Sequence, residues 1–111
     1  LEAYARSLAA DVVVLKGQAG GATGFIGGER IECEPLTVPV VDAVGAGDGF
    51  AVGFIDALLE RESVDAASIA SALERGGRVA ARVVARQGDY HGLPFRDDLA
   101  ESHVLSGVVV R

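Results

Sequence analysis

One short loop places the strongest constraint on how this chain folds. The residues of segment 45–47 are glycine, alanine and glycine, and they lie between an apolar stretch and Asp48. After Asp48, apolar residues recur at helical spacing, which predicts a strongly apolar helix over residues 48–60. Small side chains at the start of a helix leave its backbone N–H groups accessible to an anion. The sequence therefore predicts a strand–loop–helix unit with an anion site at its centre.

The carboxylate beside this loop suggests the chemistry. A loop of N–H groups can stabilise the charge of a phosphate while Asp48 accepts a proton from a hydroxyl group, as phosphoryl transfer requires. By itself, the segment is better interpreted as a glycine-rich turn in which Asp48 is an ordinary helix cap. Asp42, six residues earlier, and the apolar helix that follows favour the anion site.

Composition narrows the class of protein. The 111 residues suffice for one domain or a piece of one, and 15 glycines against 3 prolines with 50% hydrophobic residues indicate a packed α/β protein. A net charge of −6 argues against nucleic acid as a main partner. We expect no membrane partner and a cytoplasmic location, because the chain shows no spanning segment and no signal peptide. The single cysteine, Cys33, is expected to be a buried strand thiol.

Apolar periodicity gives the order of elements. It predicts a helix over 1–10, a strand over 12–15, a hairpin of 22–26 and 30–34, a helix over 66–86 capped by Asp65, and a short helix over 95–101. Two glycines, Gly76 and Gly77, fall inside the long helix and cost about 2 kcal/mol relative to alanine. A kink, a break or a close neighbour should explain them. The tail 102–111 has no clear place.

The segment 42–50 resembles the second signature of the ribokinase/PfkB-type carbohydrate kinases, D-T-x-G-A-G-D-x-F, with Ala43 in place of the usual threonine. The segment 12–21 resembles that family's strand ending in G-x-x-G, and 80–88 resembles its helix near the adenine. The resemblance implies a ribokinase-like, Rossmann-like three-layer α/β/α fold. It also implies that residues 1–111 are the carboxy-terminal, nucleotide-side portion of the kinase domain. We expect the amino-terminal sugar-binding part and the lid to be absent from these residues.

The same resemblance implies roles for individual residues. Asp48 would be the general base on the sugar hydroxyl, and the N–H groups of Gly45, Ala46 and Gly47 would form the anion hole. The cofactors would be ATP and Mg²⁺, with K⁺ as a further candidate. The expected nucleotide-binding residues are Gly17, Gly20, Gly77 and Ala80, although family members commonly carry asparagine near position 77. The expected monovalent-cation residues are Asp42, Val44, Val83, Arg86 and Gly88.

The segment 86–94 resembles the R-x-G-D-x-x-G-L-P ending of 2-dehydro-3-deoxygluconate kinases. This resemblance implies 2-dehydro-3-deoxy-D-gluconate as the substrate, so the partners would be ATP and a small sugar or sugar acid. Ribose or fructose remains an alternative substrate, and the segment also reads as a turn that packs the last helix. Homo-oligomer formation stays open.

Two rival functions remain. One is an ATP-binding module without catalysis, and the other is a dinucleotide-dependent oxidoreductase, which the absence of a G-x-G-x-x-G motif disfavours. Lys16 follows a strand, where a lysine can reach a phosphate but is more often simply solvated. A helical row of arginines is best interpreted as a solvated face paired with acids. Its members are Arg75, Arg78, Arg82 and Arg86.

Overall fold

A computed structural model describes residues 1–17 and 21–100 of the chain. The elements follow one another as α1 (Glu2–Ser7), β1 (Val12–Lys16), β2 (Ala22–Ile26), β3 (Glu29–Cys33), α2 (Ala46–Leu59), α3 (Ala66–Val84) and α4 (Arg96–Ala100). Each predicted helix and strand up to residue 100 is present, with its bounds shifted by at most a few residues. The predictions for Gly20 and for the tail 102–111 lie outside the described residues.

The three strands form one antiparallel sheet in the order β1-β2-β3. Gly24 at the centre of β2 pairs with Val14 on one side and with Ile31 on the other. Gly27 and Gly28 turn the hairpin with φ of +54° and +84°, a left-handed conformation that glycine adopts without steric cost. The hairpin is confirmed, and β3 begins one residue earlier than predicted.

Helices cover both faces of this sheet. Side chains alternate between the faces along a strand, so neighbouring residues of β2 point in opposite directions. Phe25 points towards α1, where the guanidinium of Arg6 lies 5.1 Å from the centre of its ring. Gly24 points towards α3, and a Cβ at that position would lie 2.8 Å from Ile69 Cγ2. The predicted three layers are therefore present.

The core lies between the sheet and α3, with α2 packed against α3. Ile69 and Leu73 of α3 have no exposed surface, and Phe50 of α2 reaches the same cluster. Cys33 is buried there as predicted, and burial raises the pKa of its thiol. None of the helices in residues 1–17 and 21–100 is long and apolar enough to cross a membrane.

A close neighbour explains Gly76 of α3. The helix runs without a break from Ala66 to Val84, so neither a break nor a change of element occurs at Gly76. A Cβ at Gly76 would lie 2.9 Å from the carbonyl oxygen of Phe50, and one at Gly53 would lie 2.8 Å from that of Arg75. The two helices thus approach backbone to backbone, which larger side chains would prevent.

Two members of the arginine row, Arg75 and Arg78, pair with acids as predicted, but both are half-buried and not solvated. Arg82 donates to the carbonyl oxygen of Asp98, and Arg86 lies beyond the end of α3. Arg75 Nη1 lies 2.9 Å from Asp56 Oδ2 and 3.0 Å from Glu60 Oε1, and Arg78 pairs with Glu74 one turn away. These contacts give the acids of α2 a structural role at the end of the helix that is remote from its glycine loop. The same end is also joined to α4 through Arg96 and Asp56.

Candidate active site

The predicted anion loop is the start of α2. The helix begins at Ala46, and Gly45 is its N-cap residue with φ of +84°. Asp48 is therefore the third helical residue, and it is exposed to solvent. Its carboxylate makes no hydrogen bond or ion pair within the part of the chain that the structure describes, and α2 has no side-chain cap. The alternative in which Asp48 caps the helix does not hold in this geometry.

Several N–H groups at this helix end have no acceptor. The N–H of Gly49 donates to the carbonyl oxygen of Gly45 at 2.8 Å, and that of Ala46 donates to Ala43 at a long 3.3 Å. Among the described residues, the N–H groups of Gly47 and Asp48 have no partner, nor does that of Gly45. The Asp48 N–H was not among the donors expected from the sequence. A helix start at residue 46 is the signal that would have included it, since the first N–H groups of a helix are unpaired.

Asp42 holds the loop against the end of α3. Its Oδ1 accepts the N–H of Val44 at 3.0 Å, and its Oδ2 accepts the N–H of Gly88 at 3.0 Å. These two hydrogen bonds, that of Val44 first, keep the pKa of the Asp42 carboxyl below its usual range. The carbonyl oxygen of Val84 also accepts the N–H groups of Val41 and Asp42, at 2.7 and 3.1 Å. The carboxylate therefore joins two loops that are 46 residues apart.

The loop after α3 packs directly onto the N-cap residue of α2. A Cβ at Gly45 would lie 2.8 Å from the carbonyl oxygen of Asp89, so only glycine fits this contact. Gly88, which precedes that residue, also has a left-handed backbone with φ of +89°. The glycines of the two loops thus set the distance between the start of α2 and the end of α3.

The residues expected to hold a monovalent cation meet at this junction. Carbonyl oxygens suit such an ion, and within residues 1–17 and 21–100 those of Val44, Arg86 and Gly88 accept no hydrogen bond. The carbonyl oxygen of Val83 accepts the N–H of Arg86 at 3.3 Å. Over the same residues there is no group of three His, Cys, Asp or Glu side chains that could hold a metal ion.

A cavity of about 610 Å³ opens beside the loop, a volume typical of a small-molecule site. Five of the expected residues line it: Gly17, Ala46, Gly47, Gly77 and Ala80. Asp48 and Gly45 are not part of its lining. Half of the sixteen lining residues are glycine or alanine, which leave room for a ligand near the backbone.

Two further parts of the wall were not assigned to the site from the sequence. The extended segment 35–40 contributes apolar side chains, which the sequence marks only by two prolines that hold the chain extended. Lys16 contributes its ammonium, which lies 3.1 Å from the position of a Cβ at Gly47. The less favoured interpretation of this lysine, that it can reach a phosphate, agrees with its position.

Comparison with known proteins identifies the family. The model of the pfkB family carbohydrate kinases matches residues 1–96. The chain belongs to this family. It is 42% identical over 83 residues to the 2-dehydro-3-deoxygluconokinase of Bacillus subtilis, a match that covers 75% of this chain and 22% of that protein. The PfkB resemblance predicted from residues 42–50 is confirmed.

Solved structures confirm the ribokinase-like fold. The aminoimidazole riboside kinase of Salmonella enterica, solved with aminoimidazole riboside and an ATP analog, superposes with a TM-score of 0.79 at 31% identity. That match covers 88% of this chain and 33% of the kinase. The nucleoside kinase of Methanocaldococcus jannaschii, an archaeal member of the ribokinase family, superposes with a TM-score of 0.74 at 24% identity, over 91% of this chain and 32% of the other. The PfkB chain therefore spans about a third or less of these relatives.

Proposed function

We propose that this PfkB chain is the nucleotide-side part of a kinase that transfers the terminal phosphoryl group of ATP to a sugar hydroxyl. One observation carries the proposal. The N–H groups of Gly45, Gly47 and Asp48 have no acceptor within the described residues, and the exposed carboxylate of Asp48 stands at the same helix end. A phosphate held by these N–H groups would lie next to a proton acceptor, which is the arrangement that phosphoryl transfer uses.

In this mechanism the loop stabilises charge and Asp48 moves a proton. The N–H groups of Gly45, Ala46 and Gly47, with that of Asp48, would bind the oxygens of the moving phosphoryl group, assisted by the positive end of the helix dipole. Asp48 would accept the proton of the sugar hydroxyl as the new P–O bond forms, and ADP would leave with the electrons of the broken bond. Preorganised donors of this kind typically contribute a factor of about 10²–10³ each to the rate.

The nucleotide is proposed to lie in the 610 Å³ cavity. Gly17, Gly77 and Ala80 line it, and their small size would admit the ribose and phosphates. Gly20, which lies outside the described residues, is proposed as a further nucleotide-binding residue on the sequence resemblance alone. We propose that Mg²⁺ enters with the phosphates, because the described residues hold no acidic cluster for it and this ion binds substrate phosphates readily. Its charge would neutralise part of the negative charge on the polyphosphate.

A monovalent cation such as K⁺ is proposed at the junction of the two loops. Asp42 with Val44 on one loop and Val83, Arg86 and Gly88 on the other would surround it, chiefly through carbonyl oxygens. Such an ion would compensate the negative ends of these carbonyls, close to the N-terminus of α2. This site would therefore support the shape of the anion loop.

The substrate is proposed to be 2-dehydro-3-deoxy-D-gluconate. Support comes from the segment 86–94 and from the Bacillus subtilis relative, which is named for that sugar acid. Residues 1–111 would form the carboxy-terminal part of the kinase, so the groups that select the sugar would lie mainly elsewhere in a longer protein. Ribose or fructose is the alternative acceptor. As a consumer of ATP and a sugar acid, the kinase would work in the cytoplasm, alone or as a homo-oligomer.

The proposal is tested by nucleotide binding and phosphoryl transfer in the longest form of the protein that carries this chain. Calorimetry should detect ATP, and transfer to the sugar acid should exceed transfer to ribose or fructose. Asp48→Asn should lower turnover by about 10²–10⁴-fold, the usual contribution of a general base, while ATP still binds. Asp97→Asn, which removes a carboxylate from α4, is the matched control and should leave turnover unchanged.

The outcomes separate the competing functions. Full turnover by the Asp48→Asn variant would show that another group is the base. ATP binding without transfer to any of the three sugars would favour the non-catalytic nucleotide-binding module. Absence of ATP binding would overturn the proposed function.

A further inference from the structure

Lys16 is the last residue of β1, and its side chain lies in space next to the start of α2. It pairs with Ala22 in the sheet, so its backbone position is fixed by the hydrogen-bonded strand. Its side chain extends along the wall of the 610 Å³ cavity, and its Nζ lies 3.1 Å from where a Cβ of Gly47 would be. The absence of a side chain at position 47 therefore leaves the space that this ammonium occupies.

The charge of Lys16 is not compensated within the described part of the chain. The ion pairs there involve arginines only, and Lys16 takes part in none of them. It lies beside Gly47, whose N–H group has no partner among the described residues and is at the positive end of the helix dipole. A cation is electrostatically disfavoured at this end of a helix unless an anion lies between them.

Lys16 is exposed to solvent, and its ammonium lies over the start of α2. A cation and a positive helix end repel each other there, and a bound anion would remove this repulsion. The ammonium and the free N–H groups adjoin the same cavity, because Lys16 and Gly47 both line it. Donors that adjoin one space fit a single polyanion that both can reach.

We infer that the Lys16 ammonium binds the terminal phosphates of the nucleotide, beside the N–H groups of the α2 start. This inference rests on the proposed function, and it adds a specific cation that the anion loop alone does not supply. A lysine acts on phosphate as a point charge, so it would stabilise the phosphates in ATP and in ADP without contacting the adenosine part. The adenosine part would depend on the glycine and alanine wall instead.

The chain offers a direct readout, because Lys16 is the only lysine among its 111 residues. Lysine labelled with ¹³C at the ε-carbon gives one side-chain signal from this chain in an NMR spectrum. The signal should shift on addition of ATP and of inorganic tripolyphosphate, and it should stay in place on addition of adenosine. A purely structural lysine would not distinguish these three probes.

Affinity gives the second readout. Lys16→Met should bind ATP roughly 10-fold to 100-fold more weakly, the loss expected for one charge-assisted contact, and should bind adenosine as the unchanged protein does. Lys16→Arg, which keeps the charge, should bind ATP more tightly than Lys16→Met. Arg61→Met is the matched control, because it removes one positive charge near the opposite end of α2, about 21 Å away for a helix of 14 residues. Its ATP affinity should be unchanged.

Each result decides the matter. ATP that binds without moving the Lys16 signal, or that binds Lys16→Met as tightly as the unchanged protein, would overturn the inference and leave the proposed function standing. An equal loss of affinity in Arg61→Met would overturn it as well, because net charge would then explain the effect. Absence of ATP binding by the unchanged protein would overturn both the inference and the proposed function.

Discussion

The N-termini of α2 and α3 are built in opposite ways. At α3, the Oδ1 of Asp65 accepts the N–H of Ser68, and the hydroxyl of Ser68 accepts the N–H of Asp65, both at 2.8 Å. This is a complete capping box, in which side chains satisfy the free N–H groups of the helix. At α2, the N-cap residue is Gly45, and no side chain caps the helix.

The comparison separates stability from function. Asp48 and Ser68 hold the same position, third in their helices, yet only Ser68 has a partner at the N-cap residue. A left-handed glycine cannot offer that partner, so the N–H groups of α2 stay available. Close contacts support the uncapped end instead: Asp42 joins its loop to Gly88, and α2 packs closely on α3. An open helix end held by its surroundings is what an anion site requires.

Replacing Gly45 by alanine should have the largest effect on this open end. The left-handed backbone costs a non-glycine residue about 1–2 kcal/mol, and the contact with the Asp89 carbonyl at 2.8 Å adds an overpacking cost of about 1–3 kcal/mol. We expect a matching fall in the free energy of unfolding, measured by urea denaturation, and weaker ATP binding because the loop must move.

Gly28→Ala is the control for this variant, since Gly28 has the same φ of +84° but no atom within 4 Å of its Cβ position. It should show only the backbone cost and should leave ATP binding unchanged. If the two variants lose equal stability, the close contact with Asp89 does not contribute to holding the loop.

Gly53→Val tests whether the contact between α2 and α3 supports the uncapped helix. A Cβ at Gly53 would lie 2.8 Å from both the Arg75 carbonyl oxygen and Val79 Cγ2, so we expect a loss of about 1–3 kcal/mol in the free energy of unfolding. Ala51→Val introduces the same side chain at an exposed position of the same helix and should cost only a few tenths of a kcal/mol. Urea denaturation compares the two, and equal losses would contradict the role of the close approach.

Much of this fold could be predicted because the signals are local. The hairpin of β2 and β3 follows from apolar alternation around Gly27 and Gly28, and the cap of α3 follows from Asp65 ahead of a periodic run. The sequence predicts a start of α2 two residues too late, because glycine has a low helix propensity. In the structure the packing of the helix overrides this propensity, and α2 begins at Ala46. Gly76 could be flagged from the sequence but not explained, since the reason is Phe50 on another helix.

The candidate site also has a part that local sequence predicts and a part that it does not. The motif predicted which residues form the anion loop, and the geometry of α2 agrees with an open helix end there. The partners of Asp42 and the position of Lys16 depend on contacts between distant parts of the chain, which no local pattern encodes. The position of the apolar segment 35–40 in the cavity wall could not be predicted either, because it also depends on contacts with distant parts of the chain.

A substitution at the capped N-terminus of α3 should have the smallest effect on stability. The pH dependence of that effect tests how the capped end of α3 differs from the open end of α2. The pKa of the Asp65 carboxyl is below its usual 3.8, chiefly because the carboxylate accepts a hydrogen bond from the backbone N–H of Ser68. A carboxyl with a lowered pKa in the folded state stabilises it above its unfolded pKa, and this contribution is lost as the pH falls through the lowered value. Asp65→Asn keeps an N-cap residue of similar quality but cannot ionise, so its stability should approach that of the unchanged protein as the pH is lowered from 7 towards 3. Urea midpoints across that range measure the difference, which should be smaller at pH 7 than the loss in either glycine variant. A difference that stays constant down to pH 3 would mean that the charge of Asp65 does not stabilise the capped end.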